Sequence, residues 1–234
     1  SHQRLRFNFG HSSNGKRIRN MKITILCSNA QHPVNVYLQS WIDKNKSQHD
    51  IDLIRSKDEL TYGSILFLIS CSEIIAEANW KSYGKALVIH ASDLPRGRGW
   101  SPHIWQIIDG ATTLTLTLLE AAKKVDSGDV WKKIRIDVGK DALWDEINNL
   151  VFDAELELMS FAVENFDTIE PQPQANAIEP TYHPKRDPTD SRIDPQKSIQ
   201  DQFNLIRVCD PDRFPAYFEL HGCKYTLRLE KSNA

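Results

Sequence analysis

The sequence contains no apolar run that is long enough to cross a bilayer. Stretches such as Ile65–Ser70 are far shorter than the roughly 20 residues that a membrane-spanning helix requires. No charged and apolar leader with a small-residue cleavage site opens the chain. These two absences predict a cytoplasmic protein without a membrane partner.

Cysteine is scarce and lacks the spacing of a metal site. The four cysteines are Cys27, Cys71, Cys209 and Cys223, with no CxxC pair and no nearby pair of histidines. We therefore expect reduced thiols in a cytosolic protein and no structural metal.

Acidic residues are absent from residues 1–20, which hold five basic ones, whereas the rest of the chain holds 24 basic and 31 acidic residues. A basic arm that binds nucleic acid is one interpretation of this segment. We favour a disordered leader upstream of a natural start at Met21, because the segment lacks regularly spaced aromatic residues. The acidic remainder argues against a polynucleotide partner.

What the sequence does contain is an alternation of strand and helix patterns. Short apolar segments rich in β-branched residues predict strands at 22–28, 50–54, 64–70 and 86–90. Apolar residues at helical intervals predict a helix at 34–42, and we expect a short helix at 72–81. This order predicts a Rossmann-like α/β fold, with a mostly parallel sheet covered on both faces. No GxGxxG motif or P-loop follows the first strand, which argues against a dinucleotide or nucleoside-triphosphate site there.

The second half of the chain continues with a helix, two strands and a longer helix. Their patterns lie at 102–108, 112–120, 129–138 and 141–166, and both strands alternate with period two, as a hairpin-like pair would. Residues 172–190 are rich in proline and polar residues, which indicates a surface linker. A short helix at 198–209 and two small strands follow. We predict a main domain at 21–170 and a linker with a small C-terminal subdomain at 171–234.

Polar side chains follow strand ends that should meet at one edge of this sheet. His90 and Cys71 end two of the predicted strands, and Asp126 lies in the loop at 123–129. Ligands of open α/β sheets bind at the carboxyl ends of the strands. A histidine beside a carboxylate suits general acid–base chemistry. A histidine bonded at a strand end and an aspartate capping a turn would give the same pattern, so both interpretations stay open.

A more specific signal lies in HASDLPRGRGWSPHIW, residues 90–105, and in VDSGDV, residues 125–130. In this order they resemble the folate-dependent formyltransferase family, whose signature is HxSxLPxxxG followed by a DxG loop. The interval between His90 and Asp126 is the one that this family uses. The resemblance is strong over residues 64–130 and loose elsewhere. Residues 186–210 are also similar to the segment after the catalytic domain of nucleotide-sugar N-formyltransferases.

The resemblance implies transfer of a formyl group from N10-formyltetrahydrofolate to an amine. The amine attacks the formyl carbon, and a preorganised donor stabilises the charge that develops on the formyl oxygen. By this resemblance His90 is that donor, while Asp126 raises the pKa of His90 and takes part in removing a proton from the amine. Pro95 and residues 97–99 shape the turn.

One position departs from the family pattern. The family carries an asparagine two residues before the histidine as a second oxyanion donor, and this chain has Val88 there. Ser92, a backbone N–H or a water would then replace that amide. The alternative is a catalytically weak homologue that binds folate or nucleotide.

Folate contacts can be placed only by their offset from the motif. In the family, backbone groups after the third strand hold the pterin, and the loop before the aspartate closes over it. The corresponding positions are Cys71, Ser72, Ile74, Lys124 and Val125.

The remainder of the sequence indicates which amine accepts the formyl group. Formylation of initiator tRNA would require a further module to hold the tRNA, and no basic barrel follows the core. The tail favours a nucleotide-linked amino sugar, of the kind used for lipopolysaccharide (O-antigen-type) glycan synthesis. We predict substrate contacts from Ser92, Arg98 and Arg207, with Lys224 as a further diphosphate partner. A methionyl-tRNA formyltransferase-like enzyme is the alternative, and a homodimer is compatible with the sequence.

Overall fold

The computed structural model describes residues 19–232, and within this range the chain forms ten strands and five α-helices. The strands are β1 (Lys22–Leu26), β2 (Asp50–Ile54), β3 (Gly63–Leu68), β4 (Tyr83–His90), β5 (Arg98–Gly99), β6 (Thr113–Glu120), β7 (Val130–Asp137), β8 (Tyr182–His183), β9 (Ala216–Leu220) and β10 (Cys223–Leu227). The helices are α1 (Val34–Asn45), α2 (Glu77–Trp80), α3 (Pro102–Ile108), α4 (Trp144–Asn165) and α5 (Ile199–Val208). The predicted leader lies outside the described residues, apart from its last two positions.

Six strands form one sheet in the order β2-β1-β3-β4-β6-β7. The first four strands run parallel, whereas β6 pairs antiparallel with both β4 and β7. Strand β4 lies inside the sheet, with Leu68 of β3 beside Val88 and Thr117 of β6 beside His90. The predicted mostly parallel α/β sheet is confirmed, and it places the end of β4 between two neighbouring strands.

The main core lies on one face of the sheet, under α1, α3 and α4. Helix α1 buries Val34, Leu38, Trp41 and Ile42, which share one helical face. The ring of Trp41 packs edge-on against Phe67 of β3, with centroids 6.0 Å apart. Helix α4 adds the longest buried stripe to the same core, as its predicted periodicity requires.

The opposite face carries a smaller apolar cluster that is covered by loops and by the four-residue α2. The prediction of a helix from residue 72 was wrong over its first half. The carboxylate of Glu73 accepts the N–H of Lys57 at 3.2 Å, and Cys71 Sγ donates to the carbonyl of Glu73 at 3.7 Å. These contacts hold the segment as a loop, and α2 begins only where the Asn79 side chain accepts the N–H of Ala76 at 3.0 Å.

Residues after α4 pack against elements that come earlier in the chain. Strand β8 pairs with β5, helix α5 packs against α3 and α4, and β9 and β10 form an antiparallel hairpin. The short helix and the two small strands predicted here are confirmed, while a domain boundary at residue 170 stays a prediction. Among the described residues, no helix is both long and apolar enough to cross a membrane.

Candidate active site

His90 ends β4 at the carboxyl edge of the sheet and is 7% exposed. Its Nε2 lies 2.7 Å from the carbonyl oxygen of Gly97. Because a carbonyl oxygen can only accept a hydrogen bond, Nε2 carries a proton in this contact. The other ring nitrogen, Nδ1, is left for a second partner.

Asp126 faces this second nitrogen. Its Oδ1 lies 3.6 Å from His90 Nδ1, and its Oδ2 accepts the N–H of Gly99 at 3.0 Å. Both side chains are 8% exposed, so solvent screens their interaction weakly. Asp126 has a φ of 55°, in the left-handed region that non-glycine residues seldom adopt. The structure thus brings together the two residues that the motif spacing pairs.

Two glycines allow the loops around this pair to approach the rest of the chain. Gly99 has a φ of 97°, and a Cβ at this position would overlap the carbonyl oxygen of His183. A Cβ at Gly128 would overlap the carbonyl oxygen of Glu120. Glycine is therefore required in both signature segments because backbone lies where a side chain would be.

Residues 172–184, predicted as a surface linker, are mostly exposed and pair with the turn that follows His90. Strand β8 pairs in parallel with β5, placing Tyr182 opposite Arg98 and His183 opposite Gly99. The N–H of Trp100 also donates to the carbonyl of His183 at 3.1 Å. The backbone of this segment is bonded to the turn that follows His90, which holds the segment in place.

Side chains of the same segment support the loop of Asp126. Gln174 Nε2 donates to the carbonyl oxygens of Asp126 and Gly128 at 2.8 and 3.0 Å. Its Oε1 accepts from Arg98 Nη2 at 2.8 Å, and Thr181 Oγ1 accepts the N–H of Gly97. The sequence patterns did not indicate Gln174 or Thr181, because a two-residue strand is shorter than any window that reveals a period.

Val88 takes the place of the family's asparagine without supplying a donor. It lies one strand period before His90, on the same face of β4, and packs with the small apolar cluster that includes Cys71 and Ala121. Ser92 is 1% exposed, and among the described residues its Oγ has no hydrogen-bond partner. The hydroxyl of Ser92 is therefore uncommitted close to the turn.

The residues predicted to contact folate lie on two loops beside the small apolar cluster. Cys71 and Ala121, one from each loop, pack against that cluster, and Lys123 pairs with Glu77 at 3.4 Å. Burial raises the pKa of the Cys71 thiol, so it is a weak nucleophile at neutral pH.

Apolar side chains on these two loops face solvent. Ile74 is 83% exposed and Val125 is 65% exposed, while Ser72 donates its N–H to Ser28 Oγ at 2.9 Å. Lys124 Nζ lies 5.9 Å from the ring centroid of Tyr182, next to the turn. Exposed apolar side chains beside an apolar cluster suit a flat heterocyclic ligand.

The residues predicted to contact the amine substrate lie in different places. Arg98 is buried at the turn and is bonded to Gln174. Arg207 is 1% exposed and donates to the carbonyl oxygens of Gly139 and Ala142, which fixes α5 to the turn before α4. Lys224 lies over the Tyr217 ring of the C-terminal hairpin, 4.0 Å from its centroid.

Further histidines near the site are held neutral. Burial lowers the pKa of His32 and of His103 to about 4, and neighbouring positive groups act in the same direction. Burial also lowers the pKa of His183, whose ring stacks on Trp105 with centroids 6.4 Å apart. Across residues 19–232, no group of three or more His, Cys, Asp or Glu side chains could hold a metal ion.

Comparison with known sequences places these residues in a family. A family model described as "Formyl transferase" matches residues 17–163. Methionyl-tRNA formyltransferase of Streptococcus agalactiae is 31% identical over 152 residues, covering 63% of this chain and 47% of the relative. That of Protochlamydia amoebophila is 26% identical over 148 residues, covering 62% and 46%. This chain therefore spans about half the length of the curated relatives it matches.

Solved structures share the fold at lower identity. A methionyl-tRNA formyltransferase from Clostridium thermocellum gives a TM-score of 0.73 at 23% identity, covering 87% of this chain and 90% of that chain. HypX from Aquifex aeolicus, in complex with tetrahydrofolic acid, gives 0.74 at 24% identity, covering 88% and 37%. A 4-N formyltransferase from Francisella tularensis gives 0.67 at 17% identity, covering 92% and 99%.

Proposed function

Because this chain belongs to the formyl transferase family, we propose that it transfers the formyl group of N10-formyltetrahydrofolate to the amine of a nucleotide-linked amino sugar. The observation that carries the proposal is the buried His90–Asp126 pair at the carboxyl edge of the sheet. Both residues lie inside the range that the family model matches. The tetrahydrofolic acid complex of the HypX neighbour supports the folate half of the reaction.

In the proposed reaction the amine nitrogen attacks the formyl carbon, and the bond between that carbon and N10 of the folate then breaks. Negative charge gathers on the formyl oxygen in the intermediate, and the Nε2–H of His90, released from the carbonyl of Gly97, donates the hydrogen bond that stabilises it. Asp126, which the N–H of Gly99 holds in place, takes part in removing the proton that the amine loses. N10 gains a proton as it leaves.

The folate contacts are proposed on the two loops beside the small apolar cluster. Ile74 and Val125 would cover the faces of the pterin, since both are exposed apolar side chains. Cys71, Ser72 and Lys124 would supply backbone groups around it.

A nucleotide-linked amino sugar is supported as the acceptor by charge and by the neighbours' extent. Residues 21–234 hold 24 basic and 31 acidic residues, which disfavours a polynucleotide. The 4-N formyltransferase from Francisella tularensis is covered over 99% of its chain. A nucleotide also supplies the contacts that a lone amine cannot offer for specificity.

Methionyl-tRNA is the second candidate acceptor. The two curated relatives described above are methionyl-tRNA formyltransferases, at 26% and 31% identity. This alternative keeps the roles of His90 and Asp126 and changes only the amine.

The deciding experiment offers both acceptors to the same preparation. The chain is incubated with N10-formyltetrahydrofolate and either dTDP-, UDP- or GDP-linked amino sugars or initiator methionyl-tRNA, and products are identified by mass spectrometry. We expect a formylated nucleotide sugar, and heat stabilisation by the matching nucleoside diphosphate, since a ligand that prefers the folded state raises its stability. Formylation of the tRNA, with no protection by any nucleoside diphosphate, would favour the second candidate. Binding without turnover of either acceptor would identify a binding homologue.

A further inference from the structure

Two arginines lie on the ring of Phe214, in the loop between α5 and β9. The guanidinium carbon of Arg186 is 5.7 Å from the ring centroid, and that of Arg213 is 5.6 Å from it. The two cations therefore share one aromatic surface, although like charges this close repel each other.

Neither arginine has a carboxylate partner among residues 19–232. The ion pairs of the described chain involve other residues. The carboxylate of Asp210 is engaged instead by the backbone N–H groups of Asp212 and Arg213, at 2.9 and 3.3 Å. Two adjacent positive charges thus remain without a counter-charge.

Arg186 is 8% exposed and uses little of its hydrogen-bonding capacity. Its Nη2 donates to Ser191 Oγ at 3.3 Å, and its Nε has no partner in the described part of the chain. Burying a guanidinium that has five N–H donors and so few acceptors is costly unless a ligand supplies the acceptors.

Helix α3 contacts both the segment of Arg186 and the residue after His90. Trp105 Nε1 donates to the carbonyl of Pro184, two residues before Arg186, at 3.0 Å, and Gln106 Nε2 donates to the carbonyl of Ala91 at 3.0 Å. Arg213 is close enough to His32 to lower its pKa, and Arg186 and His90 both act in this way on His103. His103 lies in the first turn of α3, and its Nδ1 is buried without a hydrogen-bond partner among the described residues. We call His32, His103, Arg186 and Arg213 the cationic cluster.

We propose that the cationic cluster binds the phosphate groups of the substrate that carries the amine, an inference that rests on the proposed function. Guanidinium groups bind phosphate oxygens through paired, charge-assisted hydrogen bonds. The neutral imidazoles add N–H donors without adding charge. A phosphate here neutralises the arginines and leaves the sugar amine on the side of His90. Arg186 and Arg213, rather than Arg207, then select a phosphorylated acceptor.

The test separates phosphate binding from turnover. Calorimetric titration with inorganic pyrophosphate measures the site alone, and steady-state kinetics with the nucleotide sugar measures its use. Arg213 is exposed, so Arg213→Gln should fold normally. We expect about tenfold weaker pyrophosphate binding and about tenfold higher KM for the nucleotide sugar, with the KM for N10-formyltetrahydrofolate unchanged.

The matched control is Arg192→Gln, which removes an exposed arginine paired with Glu219 in the same part of the chain. It should bind pyrophosphate as the parent does. No pyrophosphate binding by the parent, or equal effects of the two substitutions, would overturn the proposed phosphate site. Pyrophosphate binding that Arg213→Gln weakens, without formylation of any nucleotide sugar, would uphold the site and contradict the proposed function.

Discussion

At the scale of single residues, the site is defined by what each polar atom is bonded to. His90 has one ring nitrogen on a backbone carbonyl and the other facing a carboxylate, and that carboxylate is oriented by a backbone N–H. Backbone partners cannot rotate away as side chains can, so both side chains are held in these orientations in the free protein.

Substitution at the pair should remove activity and leave the fold. We expect His90→Ala and Asp126→Asn each to lower the rate of formyl transfer by about 10²-fold or more, since under the proposed function each removes a group that acts on the reacting atoms. The rate is measured from the consumption of N10-formyltetrahydrofolate over time, and circular dichroism checks the fold. A variant as active as the parent would show that its residue is not catalytic.

Ile74 provides a residue-level test of the folate loops. Ile74→Asp places a charge on a side chain that is 83% exposed in the free protein, so the fold should tolerate it. We expect the KM for N10-formyltetrahydrofolate to rise by about tenfold, because the carboxylate must lose water when the pterin covers it. Val36→Asp on α1, 76% exposed, is the control and should leave the KM unchanged. Equal values in both variants would remove Ile74 from the folate site.

At the scale of elements, the periodicity of apolar residues predicted the helices and strands whose bounds depend on local sequence. The apolar repeat of α4 and the alternation of β6 and β7 appear in the structure at nearly the predicted bounds. Residues 72–76 form a loop, although they were predicted as the first half of a short helix. Contacts with Lys57, distant in sequence, decide its conformation instead.

The pairing of β8 with β5 predicts a role for Gln174 that its position in a polar segment does not suggest. Gln174→Ala removes three hydrogen bonds, two of them to the loop that carries Asp126. We expect kcat to fall by about tenfold while KM for folate changes little, since the loop loses its support and the catalytic groups remain.

Gln196→Ala is the matched control for this change, because Gln196 is exposed and only its backbone N–H is bonded, to Asp194. Its kcat should equal that of the parent. A Gln174→Ala variant with the parent's kcat would mean that the loop of Asp126 is stable without this side chain.

At the scale of the whole molecule, the buried Glu155 and two partly buried histidines set opposing responses to pH. Burial lowers the pKa of His32 and His103 to about 4 and raises that of Glu155 in α4 to about 8. The unfolded chain binds more protons at the histidines below about pH 6.5, so their contribution to stability is lost as the pH falls from about 6.5 to about 4. At Glu155 the unfolded chain binds fewer protons than the folded chain above about pH 4.5. The contribution of Glu155 to stability is therefore lost as the pH rises towards about 8.

These signs predict that the free energy of unfolding is greatest near pH 6.5 and declines by on the order of 1 kcal/mol towards pH 8. Urea denaturation at several pH values measures it. Glu155→Gln should abolish the decline between pH 6.5 and 8, because the amide does not ionise. Glu157→Gln, on an exposed position of the same helix, should keep it. A decline that persists in Glu155→Gln would assign it to other groups.

The sequence predicted the sheet and the His90–Asp126 pair, but it did not predict the whole site. The family signature joins these two residues across the intervening segment, and the buried strands fix their edge. The contacts of Gln174 and Thr181 depend on where a proline-rich segment returns after α4. No local pattern encodes that return, because it is set by tertiary packing.

The return of residues 172–184 to the turn after His90 also sets an order of events during synthesis. All six strands of the main sheet precede this segment, so the ribosome has made them before it makes the residues that pair with Gly99 and hold the loop of Asp126. The nascent chain can complete its sheet before its active site. For the same reason, a chimaera of two relatives joined at residue 170 would take one half of this site from each parent, whereas a joint after residue 184 would inherit it whole.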